Sequence, residues 1–284
     1  GERQNALEPT AGTSIGWAAG LAVGAIGLWL VVLKPSSNDA RVTFRDVGHG
    51  LAVLVEDGGQ RILFDTGPPD GAVALALAPH IGRLDAVLIS HTDADHVGGL
   101  TTVLDRFPPE ALLASSDTLE DIHRRLPAAA MAPGVDFDIG DRIHLTDRTT
   151  IEVIAPPVAS CSAALDSDND GSMVILITIG DRRILVTADI EAAAETWLVE
   201  SGIDLEADVL LIPHQGSKTS STPAFIEAVQ PSAAVLSASA TNPYGHPADE
   251  VMARYLGIPV FRTDEDGSVT VSSDGDRLWI RTKR

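Results

Sequence analysis

Residues 91–96 read His91-Thr92-Asp93-Ala94-Asp95-His96 and place four metal-capable side chains within six positions. They directly follow Ala86-Val87-Leu88-Ile89-Ser90, an apolar run with the length and content of a buried strand. The cluster therefore lies where a strand ends and a loop begins, a usual place for a site on a layered α/β scaffold. Imidazole and carboxylate ligands suit zinc- or manganese-like ions, and this set can bind one ion or two. The alternative is an acidic, solvated loop with incidental histidines, which the position at a strand end disfavours.

The composition indicates a globular chain with an acidic surface. Its 284 residues are 44% hydrophobic, which is ample for one sizeable core, and the length allows one or two domains. The single cysteine, Cys161, excludes an intrachain disulfide framework and a cysteine-based zinc site. The net charge of −20 argues against a protein that holds nucleic acid through a broad basic surface. A polyanionic substrate would therefore need bound cations and a few local basic or hydroxyl groups.

An uncharged run of nineteen residues spans 15–33. At about 1.5 Å per residue it is just long enough to cross a bilayer, and tryptophans lie towards both of its ends. We therefore predict a transmembrane helix over 15–34, an N-terminal flank over 1–14 and a linker over 35–40. The segment before the run is not basic, which disfavours a signal peptide. The chain begins with Gly rather than Met, which favours a piece of a longer protein.

The remaining part of the chain, residues 41–284, alternates strand and helix patterns. Each half opens on a strand hairpin, turned at Asp57-Gly58-Gly59 in the first half and at Gly180-Asp181 in the second. Strand–helix units follow each hairpin. This order, repeated twice, predicts two sheets that are covered by helices, an α/β (α+β) fold.

Two further carboxylates each follow a predicted strand. Asp65, before Thr66-Gly67, is either a turn-forming residue or a carboxylate that orients a metal-bound histidine. Asp189 is either the N-cap of the next helix or a ligand that could bridge two cations. The His/Asp cluster at 91–96 favours the functional interpretation of both.

Two histidines also follow predicted strands. His214 opens a loop, 215–221, with a glycine, several hydroxyls and Lys218, and such groups can hold phosphate oxygens without a basic surface. An ordinary polar loop that caps the next helix is the alternative. His246, in Asn242-Pro243-Tyr244-Gly245-His246-Pro247, is a site residue or a plain surface-loop histidine.

In this order the residues resemble the metallo-β-lactamase superfamily, and within it the soluble domain of the ComEC-type DNA-uptake competence proteins. The resemblance covers roughly residues 41–272. The motifs that carry it are Asp46-Val47-Gly48-His49-Gly50, Phe64-Asp65-Thr66-Gly67, Ser90-His91-Thr92-Asp93-Ala94-Asp95-His96-Val97-Gly98-Gly99, Asn169-Asp170-Gly171-Ser172, Thr187-Ala188-Asp189-Ile190, Pro213-His214-Gln215-Gly216-Ser217, Tyr244-Gly245-His246-Pro247 and Arg262-Thr263-Asp264. Asp93 stands where most of the superfamily has His, and this points to the subgroup.

The resemblance implies an αββα four-layer sandwich with one or two divalent ions, Mn²⁺ or Zn²⁺, at one edge between the sheets. The implied ligands are His91 and Asp93 for one ion, Asp95 and His96 for the other, Asp189 as a bridge and His214 as a further ligand. Asp65 would support the cluster, Asp95 would orient the attacking water, and His246 would be a proton donor or phosphate contact. The implied substrate contacts are Ser217, Lys218 and Asn242.

The implied activity of residues 41–284 is a metal-dependent nuclease, a phosphodiesterase that degrades one strand of incoming DNA during competence. Its partners would be single-stranded DNA, the cell membrane through residues 15–33, and a multi-helix DNA channel in the same or a companion chain. The hydrolase domain would be extracytoplasmic.

The chain departs from the family pattern in three motifs. Many members read Gln-Gly-Asp where this chain has His49-Gly50-Leu51, a second His where Gln215 stands, and Gly where Ala188 stands. These departures keep two other hypotheses open. One is a metallohydrolase of a small ester, thioester or lactam, and the other is a catalytically silent DNA-binding or channel-assembly module.

Overall fold

The computed structural model describes residues 4–7, 39–77, 82–127, 129, 132–155 and 169–283. The predicted transmembrane helix over 15–34 lies outside these residues, as does Cys161. Within the described ranges, no helix is both long enough and apolar enough to cross a membrane.

The described residues form sixteen strands and eight α-helices. The strands are β1 (Gln4–Leu7), β2 (Ala40–Phe44), β3 (Val53–Asp57), β4 (Gln60–Phe64), β5 (Ala86–Leu88), β6 (Ala111–Ala114), β7 (Gly134–Asp136), β8 (Arg142–His144), β9 (Thr149–Ala155), β10 (Val174–Ile179), β11 (Arg182–Val186), β12 (Val209–Leu211), β13 (Ala233–Leu236), β14 (Val260–Arg262), β15 (Ser268–Ser273) and β16 (Leu278–Lys283). The helices are α1 (Ala72–Leu77), α2 (Ala94–Val97), α3 (Leu100–Arg106), α4 (Ser116–Arg125), α5 (Ala192–Glu200), α6 (Pro223–Val229), α7 (Asp249–Met252) and α8 (Thr263–Asp266). Short 3₁₀ turns lie at Asn169–Gly171, Pro213–Gly216 and Ala253–Tyr255.

The strands form two mixed sheets. The first sheet has the order β1-β16-β15-β2-β3-β4-β5-β6-β7, and the second has the order β14-β13-β12-β11-β10-β9-β8. In the first sheet the pairs from β4 to β7 are parallel, and in the second sheet the pairs from β11 to β14 are parallel. The carboxyl ends of these parallel strands lie at one edge of each sheet, which is where polar residues follow them in sequence.

Successive side chains of a strand point to opposite faces of its sheet, and the buried apolar side chains therefore form three layers. Phe64 and Val186 face the core between the two sheets, whereas their neighbours Leu63 and Leu185 face the helices outside. The outer cluster of the first sheet includes α1 and α3, and that of the second sheet includes α5 and α6. Helix, sheet, sheet and helix therefore stack in the αββα order that the sequence predicts.

A buried carboxylate joins the two sheets at the end of the sandwich away from the carboxyl ends of β4 and β5. Asp57, at the end of β3, accepts hydrogen bonds from Thr146 Oγ1 at 2.6 Å, Thr149 Oγ1 at 2.7 Å and Arg148 Nη2 at 2.8 Å. Burial raises the pKa of Asp57, but these donors outweigh it and lower the pKa to about 2. The three donors belong to the β8–β9 hairpin of the second sheet, so this contact fastens one sheet to the other.

The structure adds elements that the sequence patterns did not predict. They are α4, β7, β8 and the seven-residue strand β9, all between 115 and 155. The predicted N-terminal flank also contributes β1, which pairs with β16 and forms the edge of the first sheet. Near the C-terminal end of the chain, Asp249–Met252 is a single α-turn followed by a 3₁₀ turn at Ala253–Tyr255. In β9, polar Thr and Glu alternate with Ile and Val, and this alternation was a strand signal in the sequence.

Candidate metal centre

Three buried donor groups converge where the parallel strands of the two sheets end. His91 follows β5, His96 lies on α2 and Asp189 follows β11, and their candidate ligand atoms lie within 4.8 Å of one another. The Nε2 atoms of both histidines are buried and have no hydrogen-bond partner. His96 Nε2 lies 3.1 Å from Asp189 Oδ1, but the geometry is not that of a hydrogen bond. A cation between these groups would satisfy all three.

Asp65 and Ser90 orient both imidazoles. Asp65 is fully buried and accepts hydrogen bonds from the Ser90 backbone N–H at 2.8 Å and from Ser90 Oγ at 2.6 Å. The Nδ1 atom of His96 lies 2.7 Å from Asp65 Oδ2, and that of His91 lies 2.9 Å from Ser90 Oγ. The hydroxyl gives its one hydrogen to Asp65, so its contact with His91 requires a hydrogen on Nδ1. Both rings therefore direct the Nε2 atom towards Asp189 or its surroundings, as metal-ligating histidines do.

The charges of the cluster favour a cation at its centre. Burial lowers the pKa of His96, but the carboxylates of Asp189 and Asp65 outweigh it and hold that pKa well above its usual range. Burial raises the pKa of Asp189, but His96 and the neighbouring imidazoles outweigh it and hold that pKa well below its usual range. The field that stabilises a proton on His96 would also stabilise a divalent ion there, which would displace the proton.

The backbone around the centre adopts conformations that residues other than glycine rarely take. Positive φ angles occur at Asp65 (58°), Ala188 (44°), His214 (48°) and Gln215 (52°). Such residues cost free energy and persist where the surrounding structure holds them. At Ala188 the φ angle explains why many family members have Gly at this position. Asp189 is not a helix N-cap, because α5 begins later, with Glu191 as its N-cap.

Asp93 and Asp95 lie beside the three-residue centre. Asp93 Oδ2 lies 3.7 Å from His91 Nε2, and contact with His91 lowers the pKa of Asp93. Asp95 Oδ2 lies 3.7 Å from His96 Nε2 and 3.5 Å from His49 Nε2. The short helix α2 begins directly after Asp93, and it brings His96 to the same centre as His91.

Gln215 connects the second half of the chain to Asp95. Its Nε2 donates to Asp95 Oδ2 at 2.8 Å, and its Oε1 accepts from the Gly50 backbone N–H at 3.4 Å. Gly50 is packed so closely that a Cβ there would lie 2.0 Å from the Asp95 carbonyl oxygen. Leu51 uses its backbone N–H for that same oxygen, at 3.2 Å, and its side chain is buried in the core. The two departures at Leu51 and Gln215 therefore meet at Asp95.

His214 faces the centre from the second sheet. Its Nε2 lies 3.7 Å from Asp189 Oδ2, and its Nδ1 lies 3.1 Å from Glu191 Oε1. Thr219 Oγ1 donates to the same Glu191 oxygen at 2.7 Å. Asn169 places its Nδ2 atom 3.5 Å from His214 Nε2.

His246 lies behind His214, with ring centroids 5.7 Å apart. Burial lowers the pKa of His246, and charge on His214 or His49 would lower it further. Its Nδ1 atom is buried without a hydrogen-bond partner. The predicted substrate residue Asn242 folds its own loop, since its Oδ1 accepts from the backbone N–H groups of Tyr244 and His246, both at 3.1 Å.

The other two predicted substrate residues lie on the loop after His214. Ser217 is buried, and its Oγ lies 2.9 Å from Thr219 Oγ1. Lys218 is exposed. Glu195 stabilises this loop, because its carboxylate accepts a hydrogen bond from the backbone N–H of Thr222 at 2.7 Å.

The comparison with known families accounts for this arrangement. The model of the metallo-β-lactamase superfamily matches residues 45–240. The chain belongs to the metallo-β-lactamase superfamily.

Individual superfamily proteins agree with the subgroup that the motifs indicate. Competence protein ComA of Neisseria gonorrhoeae is 33% identical over 240 residues, which are 82% of this chain and 32% of that protein. ComE operon protein 3 of Bacillus subtilis is 27% identical over 270 residues, which are 85% of this chain and 34% of that protein. The resemblance to the ComEC-type competence proteins is thereby confirmed, and the chain spans about a third of the length of these relatives.

A solved structure shows the same fold. The metallo-β-lactamase fold protein YhfI from Bacillus subtilis superposes with a TM-score of 0.59 at 14% identity, over 83% of this chain and 100% of that one. The mixed α/β sandwich of two sheets and outer helices is therefore that of the superfamily.

In this metallo-β-lactamase fold the structure brings the predicted ligands together around Asp189. His91 and His96 form the centre with it, and Asp93, Asp95 and His214 each lie within 3.7 Å of a centre atom. Asp65 contacts His96 directly.

Three residues near the centre carry contacts to which the sequence interpretation gave no role. They are Ser90, Glu191 and Asn169. Ser90 and Asn169 stand inside quoted motifs, so their position was a signal. Glu191 lies two residues after Asp189, and a carboxylate directly after a ligand strand was the signal there.

Proposed function

We propose that this chain is a metal-dependent phosphodiesterase that hydrolyses single-stranded DNA. The observation that carries the proposal is the pair of buried, unpartnered Nε2 atoms of His91 and His96, which converge with the Asp189 carboxylate. The superfamily and the competence relatives support a metal-dependent hydrolase in DNA uptake.

The donor set fits one or two divalent ions, Mn²⁺ or Zn²⁺, because it combines imidazole with carboxylate and contains no thiolate. The residues that would hold them are His91, Asp93, Asp95, His96, Asp189 and His214. Such ions lower the pKa of water and offset charge on phosphoryl oxygens.

The remaining roles follow from the contacts of this chain. Asp65 and Ser90 fix the tautomers of the two histidines and so keep Nε2 available. Asp95, held by Gln215, would accept a hydrogen bond from the attacking water and orient it. Hydrolysis breaks the bond from phosphorus to the 3′-oxygen, and the leaving oxygen takes a proton. His246 would donate that proton or contact the phosphate.

The loop after His214 would receive the phosphate next to the scissile bond. Lys218 supplies a positive charge there. Ser217 Oγ and Thr219 Oγ1 contact each other, and Thr219 Oγ1 donates to Glu191, so these hydroxyls would have to turn away from those partners to donate to a phosphate. In an acidic chain such local groups are needed to offset the repulsion of a polyanion. Asn242 would contribute to substrate binding mainly by holding the loop that carries His246 in place.

The biological setting is proposed from the relatives. The chain would degrade one strand of DNA that enters a competent cell, beside a multi-helix channel in the same or a companion chain. Residues 15–33 would anchor it in the cell membrane with the hydrolase domain, residues 41–284, outside the cytoplasm.

Hydrolysis of a labelled single-stranded oligonucleotide by the purified protein, with added Mn²⁺ or Zn²⁺, tests the activity. We expect cleavage that chelator abolishes and that Asp95→Asn abolishes. Glu110→Gln, an exposed carboxylate on the connection before β6, is the matched control and should cleave at the wild-type rate. Wild-type cleavage by Asp95→Asn would contradict the proposal.

A catalytically silent DNA-binding or channel-assembly module is the second candidate. The observation that favours it is the hydrogen bond from Gln215 to Asp95, which engages a carboxylate that the two-ion arrangement needs. Elemental analysis of the purified protein distinguishes the two, because a silent module would contain no stoichiometric ion.

The small-ester metallohydrolase is favoured only by the net charge of −20. Hydrolysis of a thioester, ester or lactam without any cleavage of DNA would decide for it.

A further inference from the structure

We propose that Tyr244 is a stacking platform for a nucleobase of the bound strand. This inference rests on the proposed function and names the part of the substrate that the protein would recognise beside the reacting phosphate. Tyr244 is not among the implied superfamily ligands or substrate contacts.

The ring of Tyr244 is exposed and aligned with two imidazoles. It is 68% exposed, although large apolar side chains of the described chain are mostly buried. Its centroid lies 5.2 Å from that of His49 with an interplanar angle of 26° and 6.1 Å from that of His246 with an angle of 19°. The ring of Tyr244 is therefore roughly parallel to each imidazole, and it remains largely exposed to solvent. An aromatic face offered in this way is what a planar base needs for stacking.

Both ring neighbours of Tyr244 lead to the metal centre. His49 Nε2 lies 3.5 Å from Asp95 Oδ2, and the ring centroid of His246 lies 5.7 Å from that of His214. His214 in turn lies 3.7 Å from Asp189. A base on Tyr244 would thus belong to a nucleotide whose phosphate is close to the candidate site.

The loop that carries Tyr244 is held in place before any ligand binds. Asn242 binds the backbone N–H groups of Tyr244 and His246 through one side-chain oxygen. The Ala248 N–H donates to the Gly216 carbonyl at 2.9 Å. A Cβ at Gly216, where φ is 77°, would lie 2.7 Å from Pro247 Cβ, so the loop packs directly on the His214 turn. A preorganised ring loses little conformational entropy when a base stacks on it.

The charge of the chain explains why recognition would rest on bases. Binding through phosphates needs many cationic contacts, and a chain with a net charge of −20 has few to offer. Stacking does not require charge complementarity and tolerates any base, since every base has a π-face. It would also favour single strands, because bases in a duplex are already stacked on one another.

The test measures binding of oligonucleotides to the protein with chelator present, so that no strand is cut. One oligonucleotide carries 2-aminopurine, whose fluorescence falls when it stacks, and a matched one carries abasic sites. We expect Tyr244→Ala and Tyr244→Leu to bind the base-containing strand at least about fivefold more weakly and to lose the fluorescence change. Tyr244→Phe keeps the ring and should bind as the wild type does. Leu75→Ala, also 68% exposed but on α1, is the matched control and should not change binding.

Two results separate a platform from a ring that merely packs its own loop. The abasic strand should bind the wild type and Tyr244→Ala equally, and in cleavage assays with metal Tyr244→Ala should raise KM for the base-containing strand alone. Equal binding and equal fluorescence change in Tyr244→Ala would overturn the inference while DNA cleavage by the wild type left the proposed function intact. A wild type that neither binds nor cleaves DNA would overturn both.

Discussion

The side-chain amide of Gln215 holds the carboxylate of Asp95 across the two halves of the chain, with Nε2 2.8 Å from Oδ2. Gln215 follows β12 of the second sheet, and Asp95 follows β5 of the first. The amide can only donate to the carboxylate through its nitrogen, so the nitrogen is not a metal ligand. The residue that replaces a histidine of many family members therefore acts on the orientation of Asp95.

Replacement of Gln215 by Leu should lower turnover of single-stranded DNA about tenfold with a smaller change in KM. The change removes a hydrogen bond to a charged group, worth about 1.5–3 kcal/mol, and lets Asp95 rotate. Steady-state kinetics measure both constants. Gln60→Leu, at the exposed start of β4 at the far end of the sandwich, should leave both unchanged. Turnover by Gln215→Leu at the wild-type rate would show that Asp95 needs no such partner.

Replacement of Asp65 by Asn should weaken metal binding about 10- to 100-fold. An amide has one acceptor oxygen, so it cannot accept from the Ser90 backbone N–H on one side and from Ser90 Oγ and His96 Nδ1 on the other, as the two carboxylate oxygens do. The side chain that orients both imidazoles is therefore displaced. Isothermal titration with Mn²⁺ or Zn²⁺ measures the loss, and circular dichroism establishes that the variant is folded. Ser90→Ala should weaken binding in the same direction, because it removes the contact of His91. Unchanged affinity in both variants would exclude this role.

The sequence predicted that the candidate site residues follow strands, but it did not predict several strands of the fold around them. Asp65, His91, Asp189 and His214 each follow an apolar strand, and the carboxyl ends of parallel strands lie at a common edge, so their convergence was predictable. Two sheets covered by helices followed from the two hairpins with strand–helix units, and the αββα order was implied by the family resemblance. The strands β1, β7 and β8 were missed because they have only three or four residues and leave weak patterns. The strand β9 was missed although its alternation of Ile151, Glu152 and Val153 is typical of a strand.

The contacts that connect the site residues to one another could not be predicted. The hydrogen bond between Gln215 and Asp95 joins residues that are 120 positions apart, and it depends on how the two sheets stack. The positive φ angles at His214 and Gln215 and the close packing of Pro247 against Gly216 are likewise features of the folded chain that no sequence pattern reports. Sequence patterns report which face of a strand is buried, but they do not report the side-chain geometry between sheets.

Replacement of Glu191 by Ala should weaken metal binding about tenfold and should do so without lowering the melting temperature much. Glu191 Oε1 lies 3.1 Å from His214 Nδ1 and keeps Nε2 directed towards Asp189. Glu191→Gln retains a side-chain oxygen for that contact and should retain most of the affinity. Glu200→Ala, at the exposed end of the same helix, is the control. Equal affinities of Glu191→Ala and Glu200→Ala would contradict a positioning role.

The Asp57 contact offers a test of stability apart from the metal centre. Thr146, Arg148 and Thr149 of the second sheet donate to this carboxylate of the first. Asp57→Asn removes the charge and should lower the free energy of unfolding at pH 7, whereas Asp147→Asn, exposed in the same β8–β9 turn, should not.

The pH dependence of that loss has a definite sign. The pKa of Asp57 is about 2 in the folded protein, below its ordinary value of 3.8. The unfolded chain therefore binds the proton more readily, and the contribution to stability is present above about pH 4 and disappears as the pH falls through 2. A difference of nearly two pKa units corresponds to about 2 kcal/mol. Urea unfolding of the wild type and both variants between pH 7 and pH 2.5 measures the free energy of unfolding. The difference in this free energy between the wild type and Asp57→Asn should become smaller as the pH falls. If this difference stays constant or increases at low pH, the charge of the Asp57 carboxylate does not stabilise the contact between the two sheets.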